Sequence, residues 1–498
     1  MQPDPIARTS REPLAIVPVL AIAGGVTLLL LLLSQWHGFH RDELYFIVAG
    51  RHPAFGYPDQ PPLTPLLSAA ATALLGVEPF AVRVLPAISA GLATVFVAGI
   101  ARDMGGSQRD QIVGAGSFAL SGLLAAGHLG STATYELVLW TALMWLVVRL
   151  LDGGDARLWL AVGLIAGLAL QNKQTALILG VGLAAGILLA RRWDVLRSPW
   201  LWLGGLLAVA IWSPNAVWQL VNGLPQLEMA SRIAQEATEN RLMLLPELLL
   251  LAGPLLFPVL LAGLWWLVRA PEARPWRAIA YGFVVILGLV LLTGGKSYYA
   301  AGLFGPLMAA GGIAVASWLG RGRVRVRGTA LAVVAACSGV LMAVITLPVV
   351  PPPMLARTPI PELYPESAEQ VGWPELVSSV RAAADSLDPD ERAATIVFTL
   401  NYGEAGAVEL LGRDLPPVYS GHNGYGDWGP PSEEATIAIM VGPRAVRADR
   451  GPLGWCARHG EVDNGIDLSN EEQGAGIWIC RDRPASWEST WEQLRHLN

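Results

Sequence analysis

The sequence predicts a polytopic α-helical membrane protein of about eleven spans plus juxtamembrane helices, with a small C-terminal α/β domain outside the bilayer. Three observations predict it. Hydrophobic residues make up 53% of the 498 positions and charged residues only 15%, against about 25% charged in an ordinary soluble domain. Many apolar stretches reach membrane length. The charge is also split along the chain: residues 1–350 hold 17 acidic and 23 basic residues, residues 351–498 hold 23 and 11. The net −6 is therefore +6 on an apolar body and −12 on a tail, which implies two environments in one chain. Neither part has the basic surface of a nucleic-acid binder.

A bilayer core about 30 Å thick needs about 20 apolar helical residues. Eleven stretches qualify or nearly do: 14–33, 80–100, 111–127, 135–151, 158–170, 175–190, 199–219, 246–268, 278–293, 298–318 and 329–350. The run 63–77 is shorter, opens with Thr64 and is flanked by prolines; it reads as a helix lying on the outer surface. Arginine sets the orientation, because cytoplasmic loops are enriched in Lys and Arg. Arg8 and Arg11 precede the first span, and alternation then puts Arg102 and Arg109, Arg157, Arg191 to Arg197, Arg269 to Arg277 and Arg321 to Arg327 on the same side. The N-terminus is expected inside and the acidic tail outside. The first span lacks a small-residue cleavage pattern after it and is expected to stay as an anchor.

The division expected is a membrane module over residues 1–350 with an external loop at 34–79, followed by a soluble domain over 351–498. In the tail, 395–400, 436–441 and 476–480 are short β-rich runs, while 375–385 and 404–411 look helical. Cys456 and Cys480 both fall there, either as a disulfide or as two buried thiols.

The unusual polar groups collect on the predicted outer side. The first external loop carries His37, His40, Asp42 and Glu43, then Asp59 and Gln60 before Pro61 and Pro62. Alone, an Asp-Glu pair at a helix start caps it and offsets its dipole, worth about 0.3–1 kcal/mol; with Asp59 and Glu136 on the same side, the pair reads as functional. Glu136 opens a span, where an unpaired carboxylate is costly and seeks a polar cavity. The span before Lys173 has about 13 apolar residues, only about 20 Å of helix, so Lys173 is expected below the headgroups, lining a pocket or snorkelling. Lys173 and Lys296 are the only lysines among 34 basic residues. An ammonium suits a phosphate that must bind and leave; Lys296 stands beside Tyr298 and Tyr299, and Arg83 joins the set from the start of the second span. The tyrosines also fit an interfacial aromatic belt. In the tail, Tyr419, His422 and Trp428 lie on a Gly-rich loop that reads equally as a sugar platform or a turn-rich surface. No histidine spacing specifies a metal, and a divalent cation is left open as a cofactor. No nucleotide loop or Ser-His-Asp order is present.

These residues resemble the GT-C superfamily of membrane glycosyltransferases, in the branch of protein O-mannosyltransferases (glycosyltransferase family 39) and lipid A aminoarabinose transferases. The similarity rests on Asp42-Glu43, Pro61-Pro62-Leu63, Arg83 to Ser89, Thr132 to Glu136, Gly167 to Lys173 and Lys296 to Tyr299, and covers about residues 35–310. It implies a polyprenyl-phosphate sugar donor and inverting transfer to a lipid, protein or polysaccharide acceptor at the outer face of a bacterial cytoplasmic membrane. Asp42 would be the general base and Glu43 would assist acceptor or metal contacts. Two departures stand out: Gln60 replaces the lysine that precedes the Pro-Pro pair in the aminoarabinose transferases, and Glu136 stands where an Asp is usual. A flippase for lipid-linked sugars and a non-catalytic wall-binding scaffold are the rival classes.

Overall fold

The computed structural model describes residues 11–321, 323–443 and 452–497; Arg8 lies outside them. The chain forms two compact units. The first comprises residues 1–32, 83–217 and 230–343, the second residues 33–82, 218–229 and 344–498. The loop 34–79 thus shares a unit with the C-terminal residues.

The first unit is helical. Among the described residues, seven helices are long and apolar enough to cross a bilayer: Ile16–Leu33, Pro79–Asp103, Thr132–Leu151, Pro199–Val221, Arg274–Thr293, Ser297–Gly320 and Val324–Thr346. An eighth crossing arises if the pair Pro225–Ala252 and Phe257–Arg269, bent by 97°, counts as one span. The other apolar stretches are also helical. Leu158–Asn172 and Ala176–Leu189 have 15 and 14 residues, and the stretch 111–127 is broken into Gln108–Ala119 and Leu123–His128. Only 17% of the apolar window of Val324–Thr346 is buried by protein, and Val17, Leu32, Trp202, Leu206 and Val340 are exposed. Water does not tolerate apolar faces of that extent, and lipid does. The protein is therefore a multi-pass membrane protein.

Its core gathers Trp140, Met144, Val147, Phe304, Leu307 and Met308. Helices here approach to backbone contact: a Cβ on Gly263 would meet the Leu307 carbonyl oxygen at 1.8 Å, and one on Gly186 the Ala278 carbonyl oxygen at 2.0 Å. Small residues permit the close packing on which association within lipid depends. Arg11 and Arg149 converge on the buried Asp103 at 3.1 and 2.6 Å.

The second unit is built on a five-stranded sheet: β1 (Thr395–Thr399), β2 (Val418–Ser420), β3 (Ile437–Gly442), β4 (Trp455–Glu461) and β5 (Gly476–Arg481), in the order β2-β1-β3-β5-β4. β1 runs parallel to β2 and β3, whereas β5 is antiparallel to β3 and β4. β1 and β3 are buried along their whole length, as expected of parallel strands covered on both faces. The helix Trp373–Asp385 packs Leu376, Val377 and Val380 into this core. The helices Arg41–Arg51 and Tyr402–Leu411 bury Leu44, Ile47 and Val48 together with Ala405 and Val408 in the same cluster. Cys456 and Cys480 face each other across β4 and β5 and are joined by a disulfide.

Candidate functional site

In the second unit the helix Arg41–Arg51 begins with a capping box. The His40 ring Nδ1 accepts the Asp42 backbone N–H at 3.2 Å, and Glu43 Oε2 accepts the His40 N–H at 2.8 Å. Glu43 is buried in this role, whereas Asp42 is only half-buried. The Asp42 carboxylate accepts the Tyr402 hydroxyl at 2.8 Å. Nearby, Asp59 accepts the Tyr45 hydroxyl at 2.8 Å, and the Tyr45 oxygen in turn accepts the Gly424 N–H at 3.1 Å. The two tyrosine rings touch, with centroids 4.9 Å apart, so two carboxyl groups are hung on one pair of rings.

Electrostatics separates these groups. Burial, with smaller repulsion from Asp42 and Asp427, pushes Asp59 up to about 7. Burial also drives the Tyr45 and Tyr402 phenols well above their usual value, and the carboxylates they serve add to it; both stay donors at any working pH. Burial works against the charged form of His40. Its Glu369 partner at 2.9 Å and the carboxylates of Asp42 and Glu43 nevertheless hold its pKa above the usual value. Arg41 lies over the Tyr402 ring at 5.4 Å and pairs with Glu369 at 3.3 Å and Glu471 at 2.7 Å.

The other predicted residues of this unit are scattered. Gln60 is buried; its backbone carbonyl accepts the Tyr57 N–H at 2.8 Å, and its side-chain Nε2 has no partner among the described residues. Trp428 stacks on His52 at 4.2 Å beside an open cleft of about 840 Å³ that His52, Trp218, Asp427 and Arg495 also line. His422 is buried between Tyr402 and His496, with centroids 4.7 and 4.6 Å away. Tyr419 is half-buried and packs edge-on against Trp491. Each of the three thus packs on an aromatic partner of its own.

In the first unit, Lys173 ends the helix Leu158–Asn172 in extended backbone. Its Nζ donates to the Tyr298 hydroxyl at 3.1 Å and stands 4.4 Å from that ring's centroid. Tyr299 meets Tyr298 edge-on at 4.9 Å. Glu136 is buried, accepts the Thr175 hydroxyl and interacts electrostatically with Lys173. Asn172 ties this corner together by donating to the Thr132 carbonyl at 2.8 Å. Lys296 is held elsewhere in an ion pair with Glu236 at 2.8 Å, and Ser297 donates to Glu247 at 2.5 Å. Arg83 is buried in the helix Pro79–Asp103. Among the described residues, no three His, Cys, Asp or Glu side chains are grouped to hold a metal.

Sequence reasoning missed Tyr45, Tyr402, Arg41, Thr175 and Glu236. Tyr45 sits one turn beyond Asp42, and its spacing was a usable signal; Tyr402 is 360 positions away from Asp42 and had none.

Residues 59–218 match the family model described as dolichyl-phosphate-mannose-protein mannosyltransferase. No curated protein sequence matches the chain. Among solved structures it is similar to ArnT from Cupriavidus metallidurans bound to undecaprenyl phosphate, with 14% identity, TM-score 0.61 and coverage of 94% of this chain and 98% of that one. The apo state of the same protein gives 15% identity, TM-score 0.54 and coverage of 86% and 92%. The arabinofuranosyltransferase AftD from Mycobacteria gives 14% identity and TM-score 0.52; 94% of this chain is covered, but only 40% of AftD.

Proposed function

From a chain that has the GT-C fold and carries, over residues 59–218, a region of the dolichyl-phosphate-mannose-protein mannosyltransferase family, we propose an inverting membrane glycosyltransferase. It would move a sugar from a polyprenyl-phosphate donor to an acceptor hydroxyl at the outer face of a bacterial cytoplasmic membrane, with its N-terminus inside. The observation that carries this reading is the state of Asp42. Glu43 takes the capping position, and among the described residues the Asp42 carboxylate receives one side-chain donor, Tyr402. Its remaining lone pairs are available to an acceptor hydroxyl.

Transfer from a phosphate leaving group needs little general-acid help when a cation stabilises the departing oxygens. It does need one base for the acceptor hydroxyl, a contribution of about 10²–10⁴-fold. Asp42 supplies the base. Lys173, with the Tyr298 phenol beside it, is the cation assigned to the lipid phosphate, with Arg83, Lys296 and Tyr299 as further donor contacts. Glu136 offsets the Lys173 charge, so the phosphate is held without being trapped. The ligand named for ArnT, undecaprenyl phosphate, has the chemistry this assignment requires. Asp59, Gln60, Tyr419, His422 and Trp428 are kept as proposed substrate-binding residues.

The test is release of polyprenyl phosphate from polyprenyl-phosphate sugars by the purified protein in detergent, with and without acceptor. Acceptor-dependent release that Asp42→Asn abolishes, with unchanged melting, supports the reading. Movement of the lipid without cleavage would identify a flippase, and neither outcome would identify a scaffold.

A further inference from the structure

We propose that Tyr402 is a positioning residue for Asp42, so that the C-terminal α/β sheet completes the carboxylate centre; the inference rests on Asp42 being the general base. β1 has parallel neighbours on both sides, β2 and β3. The chain leaves β1 toward one side and returns on the other. In open α/β sheets the carboxyl end of such a strand, at the switch point, is where ligand-handling groups are presented. β1 ends at Thr399 and the helix Tyr402–Leu411 starts three residues later. Tyr402 is therefore the first helical side chain at that switch point.

Its conformation is fixed from several directions. Asn401 accepts the Gly403 N–H at 2.6 Å, and Glu404 Oε2 accepts the Asn401 N–H at 3.2 Å, which closes a capping box around Tyr402. The Tyr402 N–H donates to His422 Nδ1 at 3.3 Å. The ring is flanked by Tyr45, His422 and the Arg41 guanidinium. A Cβ on Gly403 would stand 2.9 Å from Arg41 Cβ, so the two helix starts meet with no room for a larger residue. A locked phenol donating to Asp42 Oδ1 leaves Oδ2 with a defined direction for the acceptor hydroxyl. Holding a base in this way is the work of a supporting shell. Other charged groups surround the carboxylate: His40 and Arg41 at the same helix start, Asp59 on the following loop, and Glu366 before the helix Trp373–Asp385.

The experiment compares wild type with Tyr402→Phe, which keeps the ring and its packing and removes only the hydroxyl. With a polyprenyl-phosphate sugar donor, kcat is expected to fall about tenfold or more, the usual consequence of removing one charge-assisted hydrogen bond. Donor KM and melting temperature should hold. Unchanged kcat overturns the inference, and so does a loss that tracks lowered melting or raised donor KM, since those mark a structural part. Wild-type turnover abolished by Asp42→Asn but untouched by Tyr402→Phe removes Tyr402 alone. A wild type without turnover on any such donor removes the transferase reading and this inference with it.

Discussion

Tyr45 donates its hydroxyl to Asp59 at 2.8 Å, and the carboxyl it serves titrates at about 7 because burial disfavours its charge. An exposed aspartate titrates near 4, so the folded value lies above the unfolded one. Below about pH 4 both states hold the proton and no stability is lost. Between there and about 7 the unfolded chain ionises while the folded one does not, and stability declines until the folded group titrates too. Asp59→Asn cannot ionise and can still accept from Tyr45. Its melting temperature relative to wild type should therefore rise between pH 5 and pH 8, by on the order of a few °C. Glu404 at about 8 and Glu472 at about 7 are raised in the same way, first by burial and then by neighbouring carboxylates, so some pH dependence will persist in the variant. A difference that is flat with pH would show that Asp59 is ordinary.

Glu43 offers a separate test, because its carboxylate already accepts the His40 N–H at 2.8 Å. Glutamine can fill the same place in a capping box. Glu43→Gln should therefore retain turnover within about threefold, while Glu43→Ala should cost about 1 kcal/mol of stability. If Glu43→Gln is as inactive as Asp42→Asn in the same assay, Glu43 takes part in the chemistry after all.

The contrast between Asp42 and Tyr402 shows what the sequence could convey. Membrane helices announce themselves through local composition, and the helices at 16–33, 79–103 and 324–346 lie where apolar runs predicted them. The break between Ala119 and Leu123 was hidden because glycine and serine there cost little hydropathy. Lys173 stood out in the sequence because its helix is short, and it meets Tyr298 as a cation meets a ring. Tyr402 was not, since no local period links it to Asp42. Tyr419, His422 and Trp428 looked alike as neighbours on one loop, yet β2 carries Tyr419 to Trp491 while Trp428 turns to His52. Proximity along the chain is a poor guide here, because Tyr419 is held in β2 whereas Trp428 follows the short helix Gly424–Asp427.

The bridge between Cys456 and Cys480 closes a segment of 24 residues. On the chain-entropy account, a loop of that size contributes about 3 kcal/mol by restricting the unfolded state. Cys456→Ser with Cys480→Ser should accordingly lower the melting temperature and speed limited proteolysis within the C-terminal residues. Turnover at low temperature should be kept, because neither sulfur contacts Asp42, Asp59 or their tyrosines. Equal proteolysis rates with and without reductant would show that the bridge adds nothing.

The two lysines differ in what already neutralises them, and donor affinity should reveal it. Lys296 forms an ion pair with Glu236, both side chains being more than a third exposed; such a pair is worth about 0–1 kcal/mol, and its ammonium is already matched. Lys173 gives a hydrogen bond to the Tyr298 hydroxyl, rests on that ring and meets the Glu136 carboxylate only as an electrostatic neighbour, which leaves ammonium donors for an anion. A charged hydrogen bond lost on Lys173→Met is worth about 1.5–3 kcal/mol. Donor KM is then expected to rise about tenfold to a hundredfold, with acceptor KM little changed. Lys296→Met should raise donor KM by less than about fivefold, the scale of an exposed pair. Initial rates at saturating acceptor, with the polyprenyl-phosphate sugar varied, measure both. Equal effects of the two substitutions would mean that Glu236 releases Lys296 when donor binds, and the phosphate would then have to be assigned to both cations.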